Sequence, residues 1–134
     1  MDEATIRARV SAARVAHLAT VTVEGEPHVV PCCYVLAGET IWSAVDGKPK
    51  STLALRRLDN LRAHPMASLL VDHYEEDWGE LWWVRIDGSA RVLTDGAERE
   101  EALDRLAEKY VQYESRRPPG PVIAITATVW RAWP

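Results

Sequence analysis

Two lysines separated by one proline form the segment of this chain that is best suited to hold an anion. The segment is Asp-Gly-Lys-Pro-Lys-Ser at 46–51, between a strand-like and a helix-like run. The first turn of a helix has unpaired backbone N–H groups and a partial positive charge, to which Lys48 and Lys50 add full charges. With the hydroxyl of Ser51 at the helix start, this pattern predicts a site for a phosphate group on a cofactor or substrate.

A basic helix follows that segment. Arg57 lies seven residues, or two helical turns, beyond Lys50, so it could reach a longer anionic tail. Arg56 and Arg62 lie on or near the polar side of the same helix and are equally well explained as parts of an exposed face.

Tryptophan is unusually abundant, with six Trp and four Tyr but no Phe. Trp needs a partner for its N–H group and is favoured at interfaces. Trp78, Trp82 and Trp83 follow an acidic loop, and adjacent strand residues face opposite sides. We therefore expect one of these rings to enter the core while another faces a partner or a planar ligand.

The hydrophobic pattern predicts the order α-βββ-α-ββ(β)-α-β. The predicted helices are 4–16, 51–64 and 97 to about 114. The predicted strands are 18–23, 28–36, 40–45, 66–74, 81–93 (one long strand, or a hairpin broken at Asp87-Gly88) and 122–130. The first three strands are predicted to form an antiparallel meander. Helices are too few for a doubly wound sheet, which favours a small antiparallel barrel of six or seven strands with helices around its rim.

Length and charge limit the possible functions. A chain of 134 residues with 47% hydrophobic and 27% charged residues is predicted to be one globular domain, 1–134. The net charge of −4 argues against a general nucleic-acid binder. No segment has the apolar length needed to span a bilayer, and the N-terminus resembles neither a signal nor a transit peptide, so we expect a cytoplasmic protein.

Other catalytic and metal-binding patterns are weak. Cys32 and Cys33 are adjacent, which suits neither a disulfide nor a zinc site, so structural thiols are the better interpretation. No Ser, Asp or Glu stands at a triad spacing from His28 or His73. The chain also has no G-x-G-x-x-G or P-loop motif.

Four segments together resemble the pyridoxamine 5′-phosphate oxidase-like family of flavin- and deazaflavin-binding split β-barrels. They are HLATVTVEGEPHVVPCCYVL (17–36), TIWSAVDGKPKS (40–51), LRRLDNLRAHPMASLLVDHY (55–74) and DWGELWWVRIDGSARVL (77–93). The resemblance is nearest to the actinobacterial branch of probable coenzyme F420-dependent enzymes. The usual Arg-Lys pair of the phosphate loop is replaced here by Lys-Pro-Lys, which argues against pyridoxamine phosphate oxidation.

The resemblance implies a homodimer with two cofactors bound in clefts between the subunits. Lys48, Lys50 and Ser51 would hold the cofactor phosphate, with Arg57 assisting. The strand at Val30, Pro31 and Cys32 would offer backbone groups to the polar edge of the ring, and Ser43 to Val45 would lie beneath it. The region from Trp78 to Trp83 of the second subunit would close the cleft.

Coenzyme F420 is the cofactor that this resemblance favours, with FMN as the alternative and a non-catalytic cofactor carrier as a third possibility. A reduced deazaflavin delivers hydride itself, so the protein mainly has to orient the ring against a small-molecule acceptor and exclude water. The absence of an obvious catalytic residue is consistent with that chemistry. Tyr74 and His28 are candidate proton donors, and solvent could serve as well.

Overall fold

A computed structural model describes residues 1–45 and 52–134, and the side chains of 1–45 and 56–134. Seven strands lie in these ranges: β1 (Ala16–Val21), β2 (Pro27–Cys32), β3 (Val35–Ala37), β4 (Thr40–Ala44), β5 (Met66–His73), β6 (Trp82–Leu93) and β7 (Val122–Trp133). The α-helices are α1 (Glu3–Ala12), α2 (Thr52–Ala63), α3 (Ala97–Lys109) and the short α4 (Gln112–Ser115), and Trp78–Glu80 forms one turn of 3₁₀ helix.

The seven strands form one antiparallel sheet in the order β2-β1-β5-β6-β7-β4-β3. Its two end strands, β2 and β3, are separated in the sequence by residues 33 and 34 alone. Three peptide units span at most about 11 Å, so the sheet has to curl until its ends meet. The predicted antiparallel split barrel with surrounding helices is thus confirmed.

The predicted three-strand meander is wrong in its middle strand, although both predicted turns join antiparallel neighbours. The run 28–36 forms two strands, and β2 pairs with β1 while β3 pairs with β4. The division falls at Tyr34, whose side chain is fully buried and whose hydroxyl donates a hydrogen bond to the carbonyl of Val10 in α1. Burial of this ring turns the chain from one edge of the sheet to the other.

The remaining differences concern where elements end. The segment 82–93 is one strand with a bulge at Asp87 and Gly88, so the hairpin alternative is wrong. The last strand continues to Trp133. The third helix ends at Lys109, because Tyr110 is extended, and α4 is separate. No helix in the described ranges is both long and apolar enough to cross a membrane.

Two hydrophobic clusters stabilise the fold. The larger fills the barrel and includes Val10 of α1 and Leu58 and Leu61 of α2. In the smaller one, Leu103 and Leu106 of α3 pack against β4 and β7. Strand β4 contributes to both, since Ile41 belongs to the first and Trp42 to the second. The strand that precedes the predicted phosphate segment is therefore held from both faces.

Candidate functional site

The predicted phosphate segment is flanked by the elements that the sequence predicted. Strand β4 ends at Ala44 and helix α2 begins at Thr52, so the chain passes from a buried strand to a helix start across 45–51. Lys48, Lys50 and Ser51 themselves lie outside the described residues. Their predicted role stays a prediction, and the described part of the site consists of the side chains around them.

Cys32, Ser43 and Arg57 lie together at this end of the barrel. Ser43 on β4 is almost fully buried, and its hydroxyl donates a 2.7 Å hydrogen bond to the Cys33 carbonyl. Burial raises the pKa of the Cys32 thiol to about 11, while a hydrogen bond with Ser43 and the positive charge of Arg57 oppose that rise. The sequence proposed all three residues from separate segments, and the fold places them close enough to interact.

Arg57 has an unusual local environment. Its Nε atom is buried and has no hydrogen-bond partner among the described residues. A buried donor without a partner costs about 1–3 kcal/mol, so such donors are usually satisfied by a ligand, an ion or an ordered water. Arg57 is on the second turn of α2, which begins at Thr52, and the start of a helix is a favourable place for an anion.

The strand β2 presents its residues to both sides of the sheet. Cys32 is buried in the barrel core, whereas Pro31 is exposed on the outer face, opposite His17 of β1. Both cysteines are free thiols, as predicted. Because β2 is an end strand, one edge of its backbone has no strand partner in the sheet, and backbone groups there could meet a cofactor ring.

His28 belongs to a polar patch under α2. It lies opposite Thr20 in the β1–β2 register, and Thr20 accepts a 3.1 Å hydrogen bond from the side chain of Asn60. Thr20 and Asn60 are buried, and the Nδ1 atom of His28 is buried without a partner among the described residues. His28 thus lies on the interior-facing side of β2, beside the buried Thr20 and Asn60.

Sequence analysis missed Lys109, the last residue of α3. Its Nζ atom is buried, has no hydrogen-bond partner within the described ranges, and lies 4.0 Å from the centre of the Tyr34 ring. Burial lowers the pKa of Lys109 to about 8, with a further contribution from the charge of Arg14. Nothing in a charged helix distinguishes this lysine from its exposed neighbours, since its burial depends on where Tyr34 leaves the sheet.

A groove of about 610 Å³ lies on the other side of the sheet, at one end of β5, β6 and β7. It is rich in aromatic side chains and also contains one acidic and one basic residue. We call it the outer groove; its lining residues are Leu70, Asp72, His73, Tyr74, Leu81, Trp82, Trp83, Arg85 and Trp133.

The tryptophans of the outer groove are held by cross-strand contacts. Trp83 pairs in register with Trp133 on one side and with Asp72 on the other. Trp82 packs against the barrel core and stacks on His73, with ring centres 5.9 Å apart and planes inclined by 15°. The guanidinium of Arg9 lies 5.1 Å from the Trp82 ring. The Trp82 ring is thus held in place at the side of the outer groove, whereas Trp83 lies on the sheet face at the base of the groove.

The other residues of this region that the sequence analysis singled out have exposed side chains. Trp78 is 70% exposed on the 3₁₀ turn that Asp77 caps, and it does not line the outer groove. Tyr74 does line the groove and is 63% exposed. Nε2 of His73 and a carboxylate oxygen of Glu75 are 2.8 Å apart, within hydrogen-bond distance. A role for Trp78 in closing a cleft therefore depends on a second subunit, as the sequence proposed.

The comparisons with known proteins agree with this architecture. The family model for pyridoxamine 5′-phosphate oxidase matches residues 2–134. No curated protein matches the chain significantly. Among solved structures, the conserved hypothetical protein Rv2991 from Mycobacterium tuberculosis has a TM-score of 0.81 at 23% identity, with 99% of this chain and 84% of that one covered.

Two other solved structures of the same fold have ligands in their names. A FAD-binding protein from Mesorhizobium loti has a TM-score of 0.73 at 20% identity, over 98% of this chain and 94% of its own. The heme storage protein HutZ from Vibrio cholerae has a TM-score of 0.74 at 16% identity, over 98% and 92%. At these identities the similarity demonstrates a shared fold.

Proposed function

Since the chain belongs to the pyridoxamine 5′-phosphate oxidase family, we propose that it is an oxidoreductase that uses coenzyme F420 to reduce a small organic acceptor. FMN on the same barrel is the alternative cofactor. A carrier that binds the cofactor without turnover is the alternative from outside the enzymes.

The observation that best supports a cofactor with a phosphate is the environment of Arg57. Its buried Nε has no hydrogen-bond partner among the described residues, and Arg57 lies on the second turn of α2. A phosphate held by Lys48, Lys50 and Ser51 would give this guanidinium an anionic neighbour. Arg is suited to that contact because its planar fork can donate two parallel hydrogen bonds to phosphate oxygens.

The bound deazaflavin would supply the hydride, so the residues of this chain have to bind, orient and shield the ring. Arg57 and the lysines would fix the phosphate end. The unpaired edge of β2 at Val30, Pro31 and Cys32 would orient the polar edge of the ring, and the buried Ser43 would support β4 beneath it. His28, whose Nδ1 is buried and unpartnered among the described residues, is the better placed of the two candidate proton donors.

We also propose that the protein acts as a homodimer. Pro31 and Trp78 are exposed in the single chain, and both would gain contacts if a second subunit covered them. Such an arrangement would place a cofactor in a cleft between subunits and exclude water from the ring, which limits side reactions of the reduced cofactor.

Heme storage, the property named for the Vibrio cholerae protein, is less well supported here. His73 is the imidazole that lines the outer groove; its Nε2 lies within hydrogen-bond distance of Glu75, and its ring stacks on Trp82. An axial ligand needs a free nitrogen aimed at the iron. An absorbance titration with hemin would expose this alternative through a Soret shift that His73→Ala removes.

The decisive experiment is a titration of the purified protein with coenzyme F420 and, separately, with FMN, followed by quenching of tryptophan fluorescence. We expect micromolar binding of F420 that Lys50→Ala abolishes and Arg57→Met weakens by about tenfold. The matched control is Arg56→Met, which removes one charge from the exposed face of the same helix and should leave the affinity unchanged.

Three other results would change the proposal. Preference for FMN would make the protein an FMN oxidoreductase, and tight F420 binding without turnover of any acceptor would make it a carrier. Binding of neither cofactor would refute the phosphate site. Sedimentation equilibrium tests the dimer separately, because a monomer at cofactor-saturating concentrations would contradict the intersubunit cleft.

A further inference from the structure

Lys109 carries a buried amine that the proposed function does not use. Its Nζ atom is buried without a hydrogen-bond partner among the described residues, 4.0 Å from the centre of the Tyr34 ring and 5.4 Å from that of Tyr110. The residue as a whole is only partly buried. The nitrogen is therefore less accessible than the side chain that carries it, whereas a lysine usually keeps its charged end in water.

No acidic side chain within the described ranges pairs with this amine. The groups that influence its charge are Arg14, Cys33 and Cys32. Burial raises the pKa of the Cys32 thiol to about 11 and also raises the pKa values of Tyr34 and Tyr110, so these three groups stay uncharged near pH 8. The one permanent charge that acts on the amine is that of Arg14, and it is positive.

Arg14 contacts the same tyrosine ring as Lys109. Its guanidinium carbon lies 4.6 Å from the centre of the Tyr110 ring, and the residue is exposed. It forms no ion pair with any side chain that the structure describes. Two cations beside one ring repel each other, so a reaction that converts the amine of Lys109 into an anion would replace repulsion with attraction.

Carbon dioxide is a reagent that makes this conversion. The lone pair of a neutral amine forms an N–C bond with the carbon, one C–O π bond opens to give a carboxylate, and one amine proton leaves to solvent, so that Lys–NH₂ and CO₂ give Lys–NH–COO⁻ and H⁺. The reaction needs a neutral amine, and burial together with the charge of Arg14 lowers the pKa of Lys109 to about 8. Because CO₂ is small and uncharged, it can reach a nitrogen that is shielded from bulkier reagents.

We propose that Lys109 is a site of reversible carbamate formation with carbon dioxide, and that the carbamate oxygens pair with the guanidinium of Arg14. The carbamate places its oxygens about 2.2 Å beyond Nζ. The planar fork of an arginine can donate two parallel hydrogen bonds to such a carboxylate. The modification converts two mutually repelling cations into an ion pair, so it should make the stability of the protein depend on CO₂. This inference goes beyond the proposed function and does not depend on which cofactor is bound.

The test uses the full-length protein without cofactor in isotopically labelled bicarbonate near pH 8. Carbamates are trapped as ethyl esters with triethyloxonium ion, and the modified peptides are identified by mass spectrometry. The chain has three lysines, so Lys48 and Lys50 serve as internal controls. We expect at least about tenfold more labelled ester on Lys109 than on either control, since an ordinary lysine is almost fully protonated at this pH.

Arg14→Gln tests the pairing with the carbamate. This variant should bind CO₂ about tenfold more weakly than the parent protein, because a charge-assisted contact is lost. Loss of the charge of Arg14 also raises the pKa of the amine, which by itself disfavours the carbamate. At about pH 9.5 the amine is largely neutral in both proteins, so a difference that persists there reports the contact itself. Arg116→Gln, at an exposed arginine, is the control for net charge and should not change CO₂ binding.

Urea denaturation gives a second readout. The free energy of unfolding of the parent protein should rise with bicarbonate at constant ionic strength, whereas that of Lys109→Met should not respond. Absence of the labelled ester from Lys109, or equal labelling of all three lysines, would overturn the proposal. Equal CO₂ affinity of the parent and Arg14→Gln at about pH 9.5 would overturn the pairing with Arg14. Failure of F420 and FMN to bind would change none of these results, so the two proposals can fail separately.

Discussion

The hydroxyl of Tyr110 lies 3.1 Å from both the backbone nitrogen and the backbone carbonyl oxygen of Tyr34. It accepts a hydrogen bond from that nitrogen and lies 3.0 Å from the carbonyl of Arg14, so its proton goes to one of two carbonyls. Tyr34 is where the chain leaves β2 and turns toward β3. The side chain of Tyr110 thus provides hydrogen bonds of the kind that a neighbouring strand would provide to the backbone between β2 and β3. We call this point the seam of the barrel.

Removal of this hydroxyl is expected to destabilise the protein. Tyr110→Phe would leave the buried N–H of Tyr34 unpaired, at a cost of about 1–3 kcal/mol in the free energy of unfolding. Urea denaturation measures this difference. Tyr74→Phe, at a tyrosine that is 63% exposed, should change stability by less than about 0.5 kcal/mol. Equal effects of the two substitutions on the free energy of unfolding would contradict the conclusion that the Tyr110 hydroxyl stabilises the backbone at Tyr34.

Lys109 lies beside the same seam, and its charge state should make stability depend on pH. Its folded-state pKa is lowered to about 8 from an ordinary value of 10.5, so below pH 8 the folded protein bears the cost of a buried ammonium group. As the pH rises from 8 to 10.5, the folded state loses this proton before the unfolded state does, and the cost disappears. The groups that act on Lys109 or contact it are Arg14, Cys32, Cys33, Tyr34 and Tyr110.

Lys109→Met should therefore stabilise the protein at pH 7 by about 1 kcal/mol, a figure reduced for solvent screening because the residue as a whole is only partly buried. This gain should shrink toward pH 10. Lys109→Arg keeps its positive charge, so the cost of burying that charge should not disappear over the same pH range. Chemical denaturation of the three proteins from pH 7 to 10 measures these differences, in which titrations common to all three cancel. A gain from Lys109→Met that does not change with pH would contradict burial of the charge.

The fold could be predicted to the level of its architecture because strand periodicity is local. Alternation in β5 and β7 and the turn at Glu24–Pro27 depend on neighbouring residues alone. The division of 28–36 into two strands could not be predicted. It depends on the burial of Tyr34 against Val10 and Tyr110, which are distant in the sequence.

The site was predictable to a different extent. Arg57 was proposed from its helical spacing beyond Lys50, and Ser43 from the family resemblance; both roles stay predictions. Lys109 was missed, since its burial depends on packing between α3 and Tyr34, which are distant in the sequence. A charge run in a sequence does not reveal which of its members will be buried.

The bulge in β6 leads to a test of the barrel itself. At Gly88 an added Cβ would overlap the carbonyl oxygen of Thr126 and lie 2.9 Å from its carbonyl carbon and 3.0 Å from Cγ2 of Ile125. Backbone atoms cannot move aside as a flexible side chain can. Gly88→Ala should therefore lower the free energy of unfolding by about 3 kcal/mol or prevent folding.

Gly120→Ala is the control for this change, because its Cβ would lie 3.7 Å from the nearest atom, an ordinary contact. Its free energy of unfolding should stay within about 0.5 kcal/mol of that of the parent protein. Thermal denaturation followed by circular dichroism distinguishes the two variants. Native stability of Gly88→Ala would mean that β6 and β7 do not approach as closely as the structure has them.

Arg57 allows stability and binding to be separated. In the protein without cofactor, its buried Nε has no described partner, so Arg57→Met removes an unsatisfied donor while keeping most of the apolar side chain. We expect this substitution to raise the free energy of unfolding of the cofactor-free protein by about 1 kcal/mol. The same substitution should weaken cofactor binding, and Arg56→Met should do neither. A lower free energy of unfolding for Arg57→Met would mean that Arg57 is a structural residue whose donors are satisfied within the fold. A higher free energy of unfolding together with weaker cofactor binding is the result expected if Arg57 serves to bind a ligand.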